Sequence, residues 1–301
     1  MESLNVQFMY AVMIIALGYV LKRLHVFREQ DGEGLARIVF NVTLPALILS
    51  TFHEVVMDRA LILLVASGFL YGVLTALLGL AVFRKQPRRV RGMLAMMVPG
   101  VNVGLFAYPL VEGIWGQEGL KYFGMFDVGN AFIVFGVCYF IGSFFAAGKL
   151  HWKSIPVKMV KSIPFMTYVT VCLLNLIGLS LPTFLLQGSA MIAHANMPMA
   201  LLLLGIYLNF RFDRSQTVLL FRFIGLRYGV GLALGALLFW TLPFEPMFRY
   251  TLAISFILPV SLSALPYSVE FDYDRKFVGS ASNLSIVLSF LLVWLIGNLA
   301  V

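Results

Sequence analysis

Long apolar runs separated by short connectors dominate the sequence and restrict what the chain can fold into. Of the 301 residues, 60% are hydrophobic and only 12% are charged, whereas soluble domains carry about 25% charged residues. A membrane span needs about 20 mostly apolar residues. Ten such stretches lie at 4–24, 34–53, 60–83, 92–112, 120–148, 163–181, 184–209, 216–241, 248–270 and 276–300. The sequence therefore predicts an all-α integral membrane protein with ten transmembrane helices.

The distribution of lysine and arginine predicts the orientation of the chain. Sixteen basic residues lie in the connectors after spans one, three, five, seven and nine, and three lie in the others. The sixteen are Lys22, Arg23, Arg28, Arg84, Lys85, Arg88, Arg89, Arg91, Lys149, Lys153, Lys158, Lys161, Arg211, Arg214, Arg275 and Lys276, and the three are Arg59, Lys121 and Arg249. Basic connectors stay in the cytoplasm, so we expect a multi-pass protein of the cell membrane with both termini outside. The net charge of +8 then reflects topology and contact with anionic lipid, not nucleic-acid binding.

The two halves of five predicted spans carry interruptions at matching places. The second span of each half has a proline after polar residues, Pro45 in "NVTLPAL" and Pro198 in "HANMPMAL". The fourth spans contain "AYPLVE" and "ALPYSVE", with Pro99 and Pro259 upstream. Paired interruptions in two halves of odd span number are typical of transporters built as inverted repeats. The alternative is that these prolines only kink two membrane helices.

The two interrupted fourth spans offer groups that suit an anion. A broken membrane helix frees backbone amides, and a helix N-terminus favours negative charge. Asn102 and Gly104 lie in the first broken span, and Ser261 and Ser263 lie in the second. Amide and hydroxyl groups can hydrogen-bond a carboxylate. These residues therefore predict a neutral polar pocket for a small organic anion.

Other polar residues at membrane depth are candidates for ion coupling or for a structural lock. Asp127 and Asn130 lie on span five, where a carboxylate is costly and usually functional. Asp127 could carry a proton, join a cation site or pair with a base. Arg227 on span eight is a candidate partner of Asp127 or of the anion. His194 is either a ligand or a packing residue.

No catalytic or metal-binding motif stands out in the chain. It contains neither HExxH nor a Walker A pattern, and no Cys/His cluster has the spacing of metal ligands. Cys138 and Cys172 both lie in apolar runs, which is typical of small core residues. We therefore expect no enzymatic activity, no cofactor and no metal.

Four motifs, taken together, resemble the auxin efflux carrier family. They are "FNVTLPALILS", "NVGLFAYPL", "GMFDVGNAF" and "LPVSLSALPYSVEF", and the resemblance extends over essentially the whole chain. The family includes bacterial malate or malonate permease-like proteins and plant PIN-type auxin exporters. The resemblance implies the fold of bile acid–sodium symporters and some sodium/proton antiporters. In that fold ten helices form a 5+5 inverted repeat, and helices four and nine are broken and cross.

The resemblance also implies two domains with different roles. Residues 1–57 and 149–209, with helices one, two, six and seven, would form a scaffold. This scaffold would dimerise through helices two and seven. Residues 58–148 and 210–301 would form a transport domain that moves like an elevator.

The resemblance further implies individual site residues. Asn102 falls on an Asn that contacts the substrate carboxylate in plant members, and Pro259 falls on the crossover proline of span nine. Val101 stands where the family has the span-four proline, and Ser261 and Ser263 stand where it has small or amide residues. The predicted substrate-binding residues are Asn102, Val101, Gly104, Pro259, Ser261, Ser263, Asn41 and His194.

The sequence thus predicts a secondary transporter of a small organic anion, driven by a coupling ion or by the membrane potential. A proton and a sodium ion are the candidate coupling ions. The alternatives are a sodium-coupled symporter of the bile-acid type, a membrane receptor or sensor that reuses a transporter fold, and a channel. No connector is long enough for an output domain, which disfavours the receptor.

Overall fold

The computed structural model describes residues 4–53, 55, 57–147, 154–209 and 216–300, and this part of the chain is helical apart from its connectors. Its helices are α1 (Leu4–Arg23), α2 (Glu29–Ile38), α3 (Leu44–Phe52), α4 (Arg59–Val82), α5 (Arg88–Met97), α6 (Tyr108–Phe132), α7 (Tyr139–Ala147), α8 (Ser154–Lys161), α9 (Ile163–Leu176), α10 (Thr183–Ala193), α11 (Asn196–Tyr207), α12 (Thr217–Thr241), α13 (Pro246–Ser255), α14 (Ala264–Glu270) and α15 (Arg275–Ala300). Three π-helical turns, Val39–Thr43, Val103–Ala107 and Ile133–Cys138, join neighbouring helices. Four of the basic connector residues, Lys149, Lys153, Arg211 and Arg214, lie outside the described residues.

Seven helical stretches in the described part are long and apolar enough to cross a membrane. They are Leu4–Arg23, Gln30–Phe52, Arg59–Val82, Val103–Ala146, Thr183–Tyr207, Thr217–Thr241 and Arg275–Asn298. The shorter helix α9 is also apolar. The chain is therefore an all-α membrane protein with several spans, as its composition predicted.

The stretch Val103–Ala146 contains a sharp reversal. Its 44 residues would extend about 66 Å as one straight helix, about twice the thickness of the hydrocarbon core. At Gly116 the backbone takes φ 58° and ψ −142°, which a residue with a side chain rarely adopts. A Cβ on Gly119 would lie 2.6 Å from the Val111 side chain, although a straight helix separates residues eight apart by about 12 Å. The chain turns back at Gly116, between predicted spans four and five.

Small residues let pairs of helices approach until their backbones touch. A Cβ on Gly129 of α6 would lie 2.0 Å from the carbonyl oxygen of Val65 in α4. A Cβ on Gly205 of α11 would likewise lie 2.0 Å from the Ile15 carbonyl of α1. Close packing at small residues is a main source of helix association in membranes, where lipid is as apolar as the side chains. Glycines therefore hold α4 on α6 and α1 on α11.

The two interruptions found in the second span of each half lie in contact. The chain passes from α2 to α3 through the π-helical turn that precedes Pro45, and α10 gives way to α11 just before Pro198. The Thr43 hydroxyl donates to the Asn196 side-chain oxygen at 2.9 Å. Both side chains are buried. One hydrogen bond thus joins the two bent helices.

The basic residues at the start of α5 contact the end of α7 and the connector after α14 at one end of the molecule. Arg88 donates to the carbonyls of Phe144 and Phe145 at the end of α7. Arg89 forms an ion pair with Asp272, which follows α14, at 3.0 Å. We call this end, which carries Arg88 and Arg89, the basic end. Helix α5 runs from it toward the middle of the molecule, and α14 runs back to it.

Candidate functional site

The chain loses its helical form at both proline-led segments, and the two segments cross. Helix α5 stops at Met97, and helical structure resumes only at Val103. Helix α13 stops at Ser255, and α14 begins at Ala264. Proline lacks the N–H that would continue a helical hydrogen-bond pattern, so Pro99 and Pro259 favour these breaks. We call the meeting point, residues 98–102 and 256–263, the crossover.

An antiparallel bridge between Val101 and Val260 joins the crossing segments. The Asn102 amide donates to the Pro259 carbonyl at 3.0 Å, and the Ser261 amide donates to the Gly100 carbonyl at 3.1 Å. Non-helical backbone inside a membrane requires such pairing, because the hydrocarbon offers no hydrogen-bond partner. The bridge therefore fixes the two broken spans against each other.

Two side chains from later helices accept hydrogen bonds from the amides that point outward from this bridge. The Val101 amide donates to the Asn130 side-chain oxygen at 3.1 Å, and the Asn130 side-chain nitrogen donates to the Val101 carbonyl at 3.0 Å. In the other segment, the Val260 amide donates to the Ser285 hydroxyl oxygen at 3.0 Å. Asn130 lies on α6 and Ser285 lies on α15. Each crossing strand is thus held by one polar residue from a neighbouring helix.

Arg227 supplies a fixed positive charge to the crossover. The residue is 2% exposed, and its guanidinium donates to five backbone carbonyls, those of Met97, Val98, Gly100, Leu258 and Pro259. The last carbonyls of a helix lack internal partners and carry its negative dipole end. Arg227 therefore compensates the C-terminal ends of both half-helices.

Arg227 was a candidate partner of Asp127 or of the anion, and among the described contacts it forms no ion pair with Asp127. The Asp127 carboxylate accepts instead from the Asn130 side chain at 3.0 Å and from the Tyr108 hydroxyl at 3.3 Å. Two helix ends from distant parts of the sequence present carbonyls to Arg227, and these oxygens accept from its Nη1 and Nη2. The charge of Arg227 and its position within a predicted span could not reveal these backbone partners.

Side chains also donate hydrogen bonds to the carbonyls of residues 256 to 259. The Tyr71 hydroxyl donates to the Phe256 carbonyl at 2.7 Å, and the Ser289 hydroxyl donates to the Ile257 carbonyl at 2.6 Å. The next two carbonyls accept from Arg227. Four consecutive carbonyls of the broken span, those of residues 256 to 259, thus bond to side chains of α4, α12 and α15.

Asp127 belongs to a network that leads from the crossover to α9. Asn130 contacts both Asp127 and the Val101 backbone. On the other side, the Tyr108 hydroxyl hydrogen-bonds to Asp127 and to the hydroxyl of Tyr168 on α9. The predicted pair Asp127 and Asn130 is thus connected directly to the backbone of the candidate site.

Asn102 caps the helix that leaves the crossover. Its side-chain oxygen accepts from the Leu105 amide at 3.2 Å, which is the usual role of an asparagine at a helix N-cap. The side chain is buried, with 6% of the residue exposed. Asn102 therefore lies where the positive end of a helix dipole meets the crossover.

A small cavity lies beside the crossover on the side of the basic end. The space inside it is about 10 Å³, enough for about one water molecule. The lining residues are Met96, Met97, Gly100, Val134, Cys138, Val260, Ser261, Ser263, Ala264 and Tyr267. The predicted residues Ser261 and Ser263 thus line this space, and none of the described residues that line it is acidic.

The remaining predicted site residues lie farther out. Gly104 faces α3, where a Cβ would approach the Leu44 side chain to 3.0 Å. Asn41, in the first π-helical turn, and His194, after α10, are both exposed. His194 lies within electrostatic reach of Glu112 on α6. The structure therefore gathers Val101, Asn102, Pro259, Ser261, Asn130 and Arg227 by direct hydrogen bonds, and it joins Asp127 to them through Asn130.

Five residues near the crossover had no place among the sequence candidates, namely Tyr71, Tyr108, Tyr168, Ser285 and Ser289. Ser285 occupies in α15 the role that Asn130 has in α6, so a closer comparison of the two halves could have found it. Tyr108 and Tyr168 lie in apolar runs. A tyrosine in such a run cannot be distinguished from a packing residue until its hydroxyl partner is known.

Comparison with known proteins gives a consistent result. The family described as "Membrane transport protein" matches residues 6–295 of the chain. An uncharacterized transporter of Methanothermobacter thermautotrophicus is 27% identical over 293 residues, which cover 92% of each chain. An uncharacterized transporter of Methanocaldococcus jannaschii is 24% identical over 301 residues, which cover 95% of each chain.

Proposed function

Since the chain belongs to the membrane transport protein family, the auxin efflux carrier family that its motifs resemble, we propose that it is a secondary transporter of a small organic anion. The observation that best supports this proposal is the crossover, in which Arg227 donates hydrogen bonds to carbonyls at the ends of two half-helices. The helix N-terminus at Asn102 remains directed at the same point. A site whose lining has no acidic residue, and to which the Asn102 side-chain amide and the Ser261 and Ser263 hydroxyls can donate, favours a carboxylate.

The substrate would bind between the Asn102 end of the crossover and the cavity that Ser261 and Ser263 line. Asn102 can turn its amide toward a carboxylate, and both serines can donate hydroxyl protons. The absence of a side chain at Gly104 would let the substrate approach the backbone closely. If the basic end is cytoplasmic, as the positive-inside rule predicts, this conformation presents the cavity to the cytoplasm. Alternating access would then expose the same residues to the outside.

We further propose the ten-helix inverted repeat, with both termini outside the cell membrane. The equivalence of the Val101–Asn130 and Val260–Ser285 contacts supports two related halves. The reversal at Gly116 supports the division of the longest apolar stretch into two spans.

The packing supports the proposed division into scaffold and transport domain. Helix α1 packs on α11, and α3 packs on α9 and α10. In the other group, α4 packs on α6, α5 on α7, and α12 on α13. We propose that residues 1–57 and 149–209 form the scaffold, and that 58–148 and 210–301 form the domain that moves as an elevator. Dimerisation through helices two and seven would fix the scaffold.

Ion coupling would involve Asp127. Its carboxylate reaches the crossover through Asn130 and the scaffold helix α9 through Tyr108 and Tyr168. A change in the charge of Asp127 would therefore alter hydrogen bonds both to the backbone of the crossover and to the proposed interface between the scaffold and the transport domain. A proton or a sodium ion is the proposed partner, and a sodium-coupled symporter of the bile-acid type is the second candidate that this network favours.

Two measurements on the purified protein test the proposal. A thermal-shift screen against mono- and dicarboxylates, with and without sodium at two pH values, should show stabilisation by an anion, because a ligand stabilises the state it binds. Protein in liposomes should then carry that anion with saturable flux. Binding without flux would indicate a receptor, and conductance without saturation would indicate a channel. Either result would refute the proposal.

A further inference from the structure

A carboxylate of the protein itself occupies a small carboxylate site near the basic end. Glu270, the last residue of α14, lies 2.7 Å from the Lys158 ammonium and accepts from the Tyr139 hydroxyl at 2.8 Å. The Lys158 nitrogen lies 4.3 Å from the centre of the Tyr139 ring and 5.4 Å from that of Tyr267. A charged donor and a hydroxyl donor thus converge on one carboxylate, and two aromatic faces hold the ammonium.

This cluster shares a wall with the cavity beside the crossover. Tyr267 lines the cavity, and its ring lies edge-on to Tyr139 at 5.5 Å. Cys138, which precedes Tyr139, also lines the cavity. Glu270 follows Tyr267 by three residues, so the two side chains share one face of α14. A movement of α14 that takes Glu270 away from Lys158 would also move Tyr267 out of the wall.

The ion pair links two segments that the proposed mechanism moves apart. Lys158 lies on α8, which leads into α9 of the proposed scaffold, and Glu270 lies in the proposed transport domain. The two side chains are 30% and 39% exposed. A pair that is partly in contact with water is weak enough to open in every cycle.

We propose that Lys158 and Tyr139 form an entry subsite for the carboxylate group of the transported anion, and that Glu270 fills this subsite and keeps the cavity closed until an anion arrives. The arriving carboxylate takes over the Lys158 ammonium and the Tyr139 hydroxyl. Glu270 turns to water, and α14 moves with Tyr267. The nature of the anion rests on the proposed function, whereas the closing role of Glu270 does not depend on transport.

The cysteines of the chain make the closing role measurable without transport. The sequence contains only Cys138 and Cys172, so Cys172→Ser leaves Cys138 in the cavity wall as the single thiol. The rate at which methyl methanethiosulfonate, a small neutral reagent, modifies Cys138 reports how often the cavity opens. We expect Glu270→Gln and Lys158→Met each to raise this rate severalfold, up to about fivefold, because a partly exposed ion pair shifts an open–closed equilibrium by at most this order.

Matched variants separate loss of the pair from a change of charge. The double exchange Lys158→Glu with Glu270→Lys restores an ion pair and should return the rate to within about twofold of the parent. Lys161→Met changes an exposed lysine on the same helix, and Glu118→Gln changes an exposed glutamate on α6. Both should leave the rate unchanged. Parent-like rates in Glu270→Gln and Lys158→Met would overturn the closing role.

The entry subsite is tested with acetate, malonate and succinate as probes. In Glu270→Gln, at least one of them should slow Cys138 modification in a saturable way, because the added carboxylate refills the vacated place. In Glu270→Gln with Lys158→Met, the same probe should have no effect. Slowing that persists without Lys158, or no slowing by any probe, would refute the subsite. If the gating and the slowing occur but liposomes show no flux, the proposed function fails and the subsite stands.

Discussion

Replacing Arg227 by methionine tests how much the hydrogen bonds of its guanidinium stabilise the crossover. The variant keeps a long apolar side chain but removes every hydrogen bond that the guanidinium makes. The carbonyls of Gly100 and Pro259 keep one partner each, because they also accept from the amides of Ser261 and Asn102. The carbonyls of Met97, Val98 and Leu258 lose the Arg227 donor.

The magnitude follows from these three carbonyls. Loss of a partner from a buried polar group costs about 1–3 kcal/mol, so the three together cost about 3–9 kcal/mol. Removal of a buried charge returns part of its desolvation cost, which places the net loss near the lower end, about 3 kcal/mol. For a chain of this size, such a loss lowers the melting temperature by about 5 °C or more.

The assay is thermal unfolding of purified protein in detergent, followed by tryptophan fluorescence. Arg249→Met is the matched control, because Arg249 donates to the Phe239 carbonyl at 3.3 Å, away from the crossover. We expect Arg227→Met to melt well below both the parent and this control, and to lose transport. A melting temperature within about 1 °C of the parent, with transport intact, would refute the role of Arg227 as the partner of both helix ends.

Three further outcomes follow from the same structure. Gly129→Ala places a Cβ against the Val65 carbonyl and should lower the melting temperature by several degrees. The control Gly229→Ala, with no atom within 4 Å of its Cβ, should not lower it. Equal melting temperatures of the two variants would show that the backbones of α4 and α6 are not in contact. Ser285→Ala removes the partner of the Val260 amide and should cost about 1–3 kcal/mol in the free energy of unfolding; unchanged denaturant midpoints would contradict this. Asp127→Asn should abolish the dependence of uptake on an imposed proton or sodium gradient while anion binding in the thermal-shift assay persists; gradient-dependent uptake by the variant would exclude Asp127 as the coupling residue.

Local chemistry made the breaks in the chain predictable. Pro99 and Pro259 cannot donate a helical hydrogen bond, and each precedes polar or small residues in an otherwise apolar run. Asn102 was identifiable for the same reason, since an isolated amide at that depth needs a partner. The end of predicted span four and the start of span five also bracket the reversal at Gly116.

The partners across the crossover could not be predicted in the same way. Arg227 binds carbonyls from segments about 30 and 130 residues away in sequence, and a carbonyl carries no side-chain signature. Its pairing depends on where two helices end in space, which only the fold determines. The same holds for Tyr168, whose bond to Tyr108 joins α9 to α6.

The exposed positions of Asn41 and His194 illustrate a second limit. Both stand beside the prolines that interrupt the second span of each half, and that pattern located the bends. It did not say which polar residue of each bend turns inward. In the structure, Thr43 and Asn196 are the buried pair, because helical geometry puts residues two apart on different faces.

The most direct test of the central claim is saturable uptake of an organic anion into liposomes that contain Asn102→Ala. Asn298→Ala is the matched control, because Asn298 is exposed on α15 and its amide donates to the Trp294 carbonyl. The crossover account predicts that Asn102→Ala is folded but carries no anion, and that Asn298→Ala transports like the parent. Parent-like uptake by Asn102→Ala would show that the anion does not bind at the crossover.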